Sequence, residues 1–405
     1  MSMNIALTGL NAANEDLSVT SNNLANVATV GFKGSRTEFS DLFASTQQGA
    51  IATGNGVEVS EIAQQFTQGN IETTGNTLDM AVSGNGFFIV SDNGALNYTR
   101  DGEFQLNSSG QVVTANGSLL QAYPPLANGG FNTGGLAGVS LTTNESQPQA
   151  TSTAQITANL PANATQPPDA PFAANDPNSY NNTTSLTVYD SLGAAHTASL
   201  YFIKGAVAND WTVQLTVDGT VVGAPQALNY SQTGALTTPA NGQVAFPAYT
   251  PATGAQAMNM TFDFSQTTQY GGNFGVTAVQ QNGFTTGQLT GINVGQTGVV
   301  QAQFTNGRSI DLGQVALANF ANPQGLQQLG NATWAPTNAS GAAVNGVAGN
   351  SGFGSIQSGS LEESNVDTTA ALVEMITAQR DFQANAQMIQ TEDQVTQSII
   401  NIRNG

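Results

Sequence analysis

Residues 3–27 read MNIALTGLNAANEDLSVTSNNLANV, and within them Met3, Ala6, Leu10, Ala13, Leu17, Thr20, Leu24 and Val27 recur in alternating steps of three and four. That spacing predicts an α-helix from Met3 to Val27 with a coiled-coil seam, Leu returning every seventh residue. Hiding each Leu from water is worth roughly 1.5–3 kcal/mol. The rest of the stretch opposes a lone helix. Gly9 costs about 1 kcal/mol relative to Ala, and Asn22, Asn23 and Asn26 favour caps and turns. A segment of this length is marginal by itself in water, so it is expected to order when other helices cover its seam.

The other end of the chain supplies a partner. Leu372, Met375, Phe382, Ala386, Ile389 and Ile400 fall on one seam, interrupted by Gln379, Asp393 and Thr396. No Gly or Pro occurs between Leu361 and Ile402, although both are frequent elsewhere. Ser364 with Asp367 three residues later reads as a helix start of capping-box type, and Glu362 and Glu363 suit the positive end of the helix dipole. Periodicity alone leaves two arrangements open: both helices packed on their own chain, or a seam shared between chains.

Between these ends the 405-residue chain has room for two to four domains. It is 39% hydrophobic but only 8% charged, with a formal charge of −19. The acidic balance argues against nucleic acid, which demands a basic surface, and against anionic membrane surfaces. With no cysteine, disulfides and thiolate metal sites are ruled out, and function outside the cell without redox dependence is compatible. No basic segment followed by an apolar run marks a cleaved signal peptide, and no run of about 18 apolar residues exists to span a bilayer. The expectation is a soluble protein, exported if at all by a route without a cleaved signal.

The middle reads as antiparallel β. Phe87 to Val90, the turn Asp92-Asn93-Gly94 and Leu96 to Thr99 form a strand–turn–strand signal. Further strands carry Phe104, Val112-Val113 and Leu119 to Tyr123. A Pro-, Ala- and Asn-rich connection over about 147–182 leads to a second set, Ser185 to Tyr189, Thr197 to Ile203 and Trp211 to Val217, ending near Thr277 to Gln281. Strands resume at Gly287, and a Gly/Asn/Ala-rich segment from Asn338 to Gly354 leads into the C-terminal helix. The expected fold is mostly β with terminal α-helices, the helices paired as a coiled coil around two nested antiparallel β domains. The expected boundaries are 1–27 with 364–405 for the helical domain and 28–71 with 355–363 for a connecting region. The first β domain takes 72–146 with 286–354, and an inserted outer β domain takes 147–285.

No catalytic, cofactor or metal site is expected. The one histidine, His196, shares a tight turn with Asp190 and Ser191, whereas a catalytic triad needs groups held apart on a rigid frame with an oxyanion hole. Gly84-Asn85-Gly86 precedes a strand rather than a helix and fails the context of a phosphate loop. Asp79, Asp92, Asp101 and Glu103 lack calcium-loop spacing. Trp211 and Trp334 are suited either to sugar binding or to the core, and the core reading is preferred.

The terminal motifs carry a resemblance. Ser21-Asn22-Asn23-Leu24-Ala25-Asn26 followed by Thr29-Val30-Gly31-Phe32-Lys33 resembles the N-terminal signature of the axial proteins of the bacterial flagellum. Leu361 to Asp367, including Ser364, Asn365 and Val366, then Met375-Ile376, Ala378-Gln379-Arg380 and Asn385-Ala386, resembles their C-terminal signature. Leu78 to Phe104 is similar to the β segment of the same family. Within this rod and hook family the hook members fit best, through Val188 to Gly193 with His196 and through Val315 to Phe320; rod members are shorter and lack so large an insertion.

The resemblance implies a structural subunit, with no enzymatic activity, that polymerises into a curved, flexible helical tube acting as a universal joint around an export channel. It implies passage through the flagellar export apparatus with termini that fold on incorporation, and a place outside the cell in the flagellar hook. The implied partners are further copies of the chain and the distal rod, hook cap and hook–filament junction proteins, with no nucleic acid and no membrane insertion. The assembly seam is expected at Leu10, Leu17, Leu24, Val27, Leu372, Met375, Phe382, Ile389 and Ile400. Two other readings compete. A distal-rod protein is disfavoured by chain length, and a secreted carbohydrate-active enzyme or adhesin would carry a signal peptide.

Overall fold

The computed structural model describes residues 2–42, 54–141 and 145–404. Met1, Gly405, residues 43–53 of the expected connecting region and residues 142–144 of the expected first β domain lie outside the described residues. The chain is mostly β with one long helix at each terminus, α1 (Ser2–Ala25) and α2 (Thr368–Asn404). It divides into two compact units, the first comprising residues 1–143, 291–303 and 309–405, the second residues 144–290 and 304–308.

In the first unit α1 and α2 lie antiparallel. Gly9 sits so close to α2 that a Cβ there would stand 2.7 Å from Asn385 Oδ1, so glycine's lack of a side chain sets the approach of the two helices. Both helices start and stop differently from the expectation. α1 ends at Ala25, where the Asn26 side chain donates to the Asn22 carbonyl, and Val27 lies in the turn beyond. Gly31 stands six residues past its end at φ +66°. α2 begins at Thr368 rather than Ser364, because Asp367 supplies the cap: its Oδ1 accepts from the Ala370 amide at 2.8 Å.

Strands Ser35–Asp41 and Val57–Gln64 pair antiparallel beside α1. The β framework centres on Ser309–Asn319, which pairs antiparallel with Val299–Phe304, Leu119–Tyr123, Phe87–Asp92 and Val344–Val347. Its core holds Phe87, Ile89, Tyr98, Phe320 and Trp334, with Phe66 edge-on to both Phe87 and Trp334. The turn at Asn93-Gly94 has φ of 50° and 92°, the left-handed pair that a two-residue hairpin requires. The Gly/Asn/Ala-rich segment from Asn338 to Gly354 carries Val344–Val347, and two more strands follow it: Ser355–Ser358 pairs with Met80–Ser83 and Ser360–Glu362 with Ile71–Thr73.

The second unit encloses one core between two sheets. One is an antiparallel meander of Asn182–Tyr189, Ala195–Lys204, Asp210–Val217, Thr220–Tyr230 and Leu236–Thr238. The other centres on Thr153–Pro161, which falls inside the stretch expected to be a connection. It is a strand because Ala154, Ile156, Ala158 and Leu160 alternate and all four are buried. It also departs from the purely antiparallel expectation. It pairs parallel with Thr261–Asp263 and Thr268–Tyr270, and antiparallel only with Gly275–Gln281. Parallel pairing needs a long crossover, and the whole meander lies in sequence between the parallel partners.

Candidate assembly site

The N-terminal and C-terminal motifs meet where the helices leave the β framework of the first unit. After α1, Gly31 turns the chain; a Cβ there would lie 2.5 Å from the Asp101 backbone nitrogen, and its amide donates to the Glu362 carbonyl at 2.7 Å. The turn delivers Phe32 and Lys33 into the interior. Lys33 Nζ donates to Glu362 Oε1 at 2.5 Å and to the Thr67 carbonyl at 2.9 Å. Arg100 Nη1 donates to Glu362 Oε2 at 3.1 Å and Nη2 to the Gly84 carbonyl at 2.8 Å, while its guanidinium lies over the Phe87 ring. Glu362 Oε1 also accepts from the Gly69 amide. The Glu362 side chain is fully buried, so one carboxylate binds two cations on sequence-distant segments. Burial pushes the Lys33 ammonium and the Arg100 guanidinium down from their ordinary pKa values, while Glu362 draws both up. Glu362, expected to serve the dipole of α2, is therefore a buried anchor six residues before that helix begins.

Asparagines stitch the same junction. Asn23 exchanges two side-chain hydrogen bonds with Ser35, accepting from its amide at 2.9 Å and donating to its carbonyl at 2.7 Å. Asn365 Oδ1 accepts from the Gly34 amide at 2.8 Å, and its Nδ2 donates to the Gln65 carbonyl at 2.6 Å. Ser364 Oγ accepts from the Val366 amide, and Asn22 and Asn26 stay local to the end of α1. Both helix roots are thus tied to each other and, through Arg100, to the β framework. Arg100 escaped the sequence reading because nothing in its neighbourhood marks it as buried.

The expected seam residues divide by environment. On α1, Ala6, Ala13 and Thr20 are buried, and Leu10, Leu17, Leu24 and Val27 are half-buried. On α2, Ala371 and Ala378 are buried, and Met375, Phe382, Asn385, Ala386 and Ile389 are half-buried on the α1 side. Leu372 and Ile400 are exposed, as are Gln379 and Arg380. Ile400 lies beyond the reach of α1, because the antiparallel pairing brings the start of α1 opposite the middle of α2. A second apolar stripe was not anticipated. Val373, Met388, Val395, Ile399 and Ile402 fall on one strip of α2 beside the face that packs on α1, exposed by 49% at Val395, 60% at Ile399 and 81% at Ile402. The seven-, four- and three-residue steps from Met388 to Ile402 are the signal that could have revealed it.

The residues weighed for chemistry have structural partners. Trp211 and Trp334 are buried, which leaves neither ring face to a sugar. Ser191 Oγ accepts from the Gln256 amide rather than meeting His196. Among the described residues no group of three or more His, Asp or Glu is placed to hold a metal, and no helix is long and apolar enough to cross a membrane.

Four family profiles match the chain in order: the flagella basal body rod protein over residues 3–33, the flagellar hook protein FlgE/F/G D1 domain over 81–166, the flagellar basal body protein FlaE D2 domain over 157–284 and the flagellar basal body rod FlgEFG protein C-terminal over 357–402. The flagellar hook protein FlgE of Salmonella typhimurium is 37% identical across the full length of both chains. That of Escherichia coli K12 is likewise 37% identical over full length, and that of Rhizobium meliloti 32% identical over 99% of this chain and 98% of its own. In fold the chain is similar to the crystal structure of Helicobacter pylori flagellar hook protein FlgE2, with TM-score 0.53 and 13% identity, covering 71% of this chain and 99% of that one.

Proposed function

The chain belongs to the flagellar hook protein FlgE family, and from that premise we propose that its two terminal helices build the wall of a tubular polymer while its β units give that tube a compliant outer body. Its role is structural rather than enzymatic, as a subunit of the flagellar hook. The observation that carries the proposal is the second apolar stripe of α2. The first part of the helix packs on α1, and the part beyond the reach of α1 presents Val395, Ile399 and Ile402 with no cover from its own chain among the described residues. In a chain that is only 8% charged an uncovered apolar strip is poorly offset by surface charge, and a strip of this kind marks an interaction site.

In this reading residues 1–27 and 364–405 form the inner tube as a coiled coil and order on incorporation, since segments that fold on binding bear their ordering cost at that moment. Residues 28–71 with 355–363 connect them to a first β domain, 72–146 with 286–354, that carries the insertion 147–285. Of the seam, Leu10, Leu17, Leu24, Val27, Met375, Phe382 and Ile389 hold the two helices together, and Leu372 and Ile400, exposed on the single chain, are left to contacts between subunits. The buried Lys33–Glu362–Arg100 cluster passes torque from helices to framework without slack, because pulling it apart would strand charges away from water. The weakly charged β surfaces let neighbouring subunits slip as the tube bends. Subunits leave the cell through the flagellar export apparatus and meet the distal rod, hook cap and hook–filament junction proteins. Electron microscopy of the purified chain and of Ile399→Asp tests this. Curved tubes from the former and folded, non-polymerising monomers from the latter are expected; tubes from both would contradict it.

A further inference from the structure

The second unit holds a charged cluster that the hook role does not use. His196 stands at the start of Ala195–Lys204 between two carboxylates, Nδ1 at 2.6 Å from Asp218 Oδ2 and Nε2 at 3.2 Å from Asp190 Oδ2. Asp190 sits in the turn before the strand and is fully buried; its Oδ1 accepts from the amides of Leu192 and Ala194, and its Oδ2 also accepts from Thr253 Oγ1 at 2.7 Å. Asp218, in the turn between Asp210–Val217 and Thr220–Tyr230, accepts from the Thr197 amide on Oδ1 and from the Tyr249 hydroxyl on Oδ2. Every oxygen of both carboxylates is therefore an acceptor. A histidine whose two ring nitrogens both face such oxygens must donate from both, and only the imidazolium does so.

The same carboxylates hold down the segment from Pro247 to Met258. Tyr249 reaches Asp218, Thr253 reaches Asp190, and the Gln256 amide donates to Ser191 Oγ beside Asp190. Tyr249 and Met258 close the segment on itself with two backbone hydrogen bonds, 3.0 and 2.7 Å. The titratable groups facing the imidazole are thus Asp190, Asp218 and Tyr249, supplied by three different stretches of chain.

We propose that His196 is a resident imidazolium that clamps the 247–258 segment onto the two turns, making this end of the second unit a latch that protons close. When the ring loses a proton, one nitrogen becomes a lone pair aimed at a carboxylate. That lone pair, 2.6 Å from Asp218 or 3.2 Å from Asp190, repels the carboxylate it faces, and the repulsion is relieved when the segment carrying Tyr249 and Thr253 lifts and admits water. Burial lowers the histidine pKa, but hydrogen bonds to Asp218 and Asp190 outweigh it and leave the pKa raised above 6.5, while Asp190 is held down at about 2. A raised histidine pKa contributes stability that is complete below 6.5 and fades as pH rises through the folded value.

Because His196 is the one histidine in the sequence, the untagged full chain with isotope-labelled histidine gives a single imidazole signal, read by NMR alongside amide exchange at Tyr249 and Met258. The expected result is a titration midpoint above 6.5, with exchange at those two amides accelerating at least tenfold across the same transition beyond the ordinary base-catalysed rise. In His196→Gln those amides should exchange rapidly already at pH 5, with no step at higher pH. A midpoint at or below 6.5, or amides whose protection ignores the titration, overturns the latch. If the variant fails to fold, the wild-type titration alone decides.

Discussion

Lys33, Arg100 and Glu362 remove two cations and one carboxylate from water at a point where three distant segments meet. Buried ion pairs add little net stability, but removing one partner costs about 3–5 kcal/mol because the remaining charge is stranded. Glu362→Gln leaves both cations buried without their anion and should therefore destabilise the first unit by about 3 kcal/mol in urea unfolding; a change under about 1 kcal/mol would show that the cluster is dispensable. Asp101 beside it behaves differently. Burial pushes its carboxyl up from 3.8 to about 6, so the folded state binds a proton that the unfolded chain releases. The sign follows: stability of the first unit falls as pH rises from about 4 to about 6. Asp101→Asn, which keeps an acceptor for the Glu103 amide, should flatten that dependence and raise the melting temperature at pH 7.5, a gain of up to about 2 kcal/mol. At this scale the sequence was partly legible. Lys33 and Asn365 stand in recognisable motifs, whereas the burial of Glu362 depends on a strand pairing with Ile71–Thr73 that no local pattern announces.

The two helices show how far a periodic pattern reads and where it stops. A helix at each terminus follows from spacing alone. The ends do not, because Asp367 outcompetes Ser364 as the cap and the Asn22–Asn26 bond closes α1 before Val27. Gly9 weakens the lone helix, yet its missing side chain is what admits Asn385. Gly9→Val should push α2 off α1 and impair polymerisation; tubes that assemble as readily from the variant would mean that the close approach is unimportant. Thr153–Pro161 was misread for a different reason. The prolines at 167, 168 and 171 dominate the composition of the region, and the two-residue alternation of Ala154, Ile156, Ala158 and Leu160 just before them is the stronger physical signal.

For the whole molecule, a mostly β chain bracketed by helices is legible because the periods of two and of three-to-four are separated along the sequence. Parallel pairing inside the second unit is not legible, since it depends on where a hundred-residue excursion returns. Polymerisation is the property that gives the exposed stripe of α2 a purpose, and it separates the α2 residues opposite α1 from those beyond it. Amide hydrogen exchange, compared between the soluble chain and the assembled polymer over residues 388–402, tests this most directly. These amides are expected to exchange freely in the soluble chain and to slow by at least a hundredfold in the polymer. Equal exchange in both states would mean that no neighbouring subunit covers this half of α2, and the tube wall would have to be built from other surfaces.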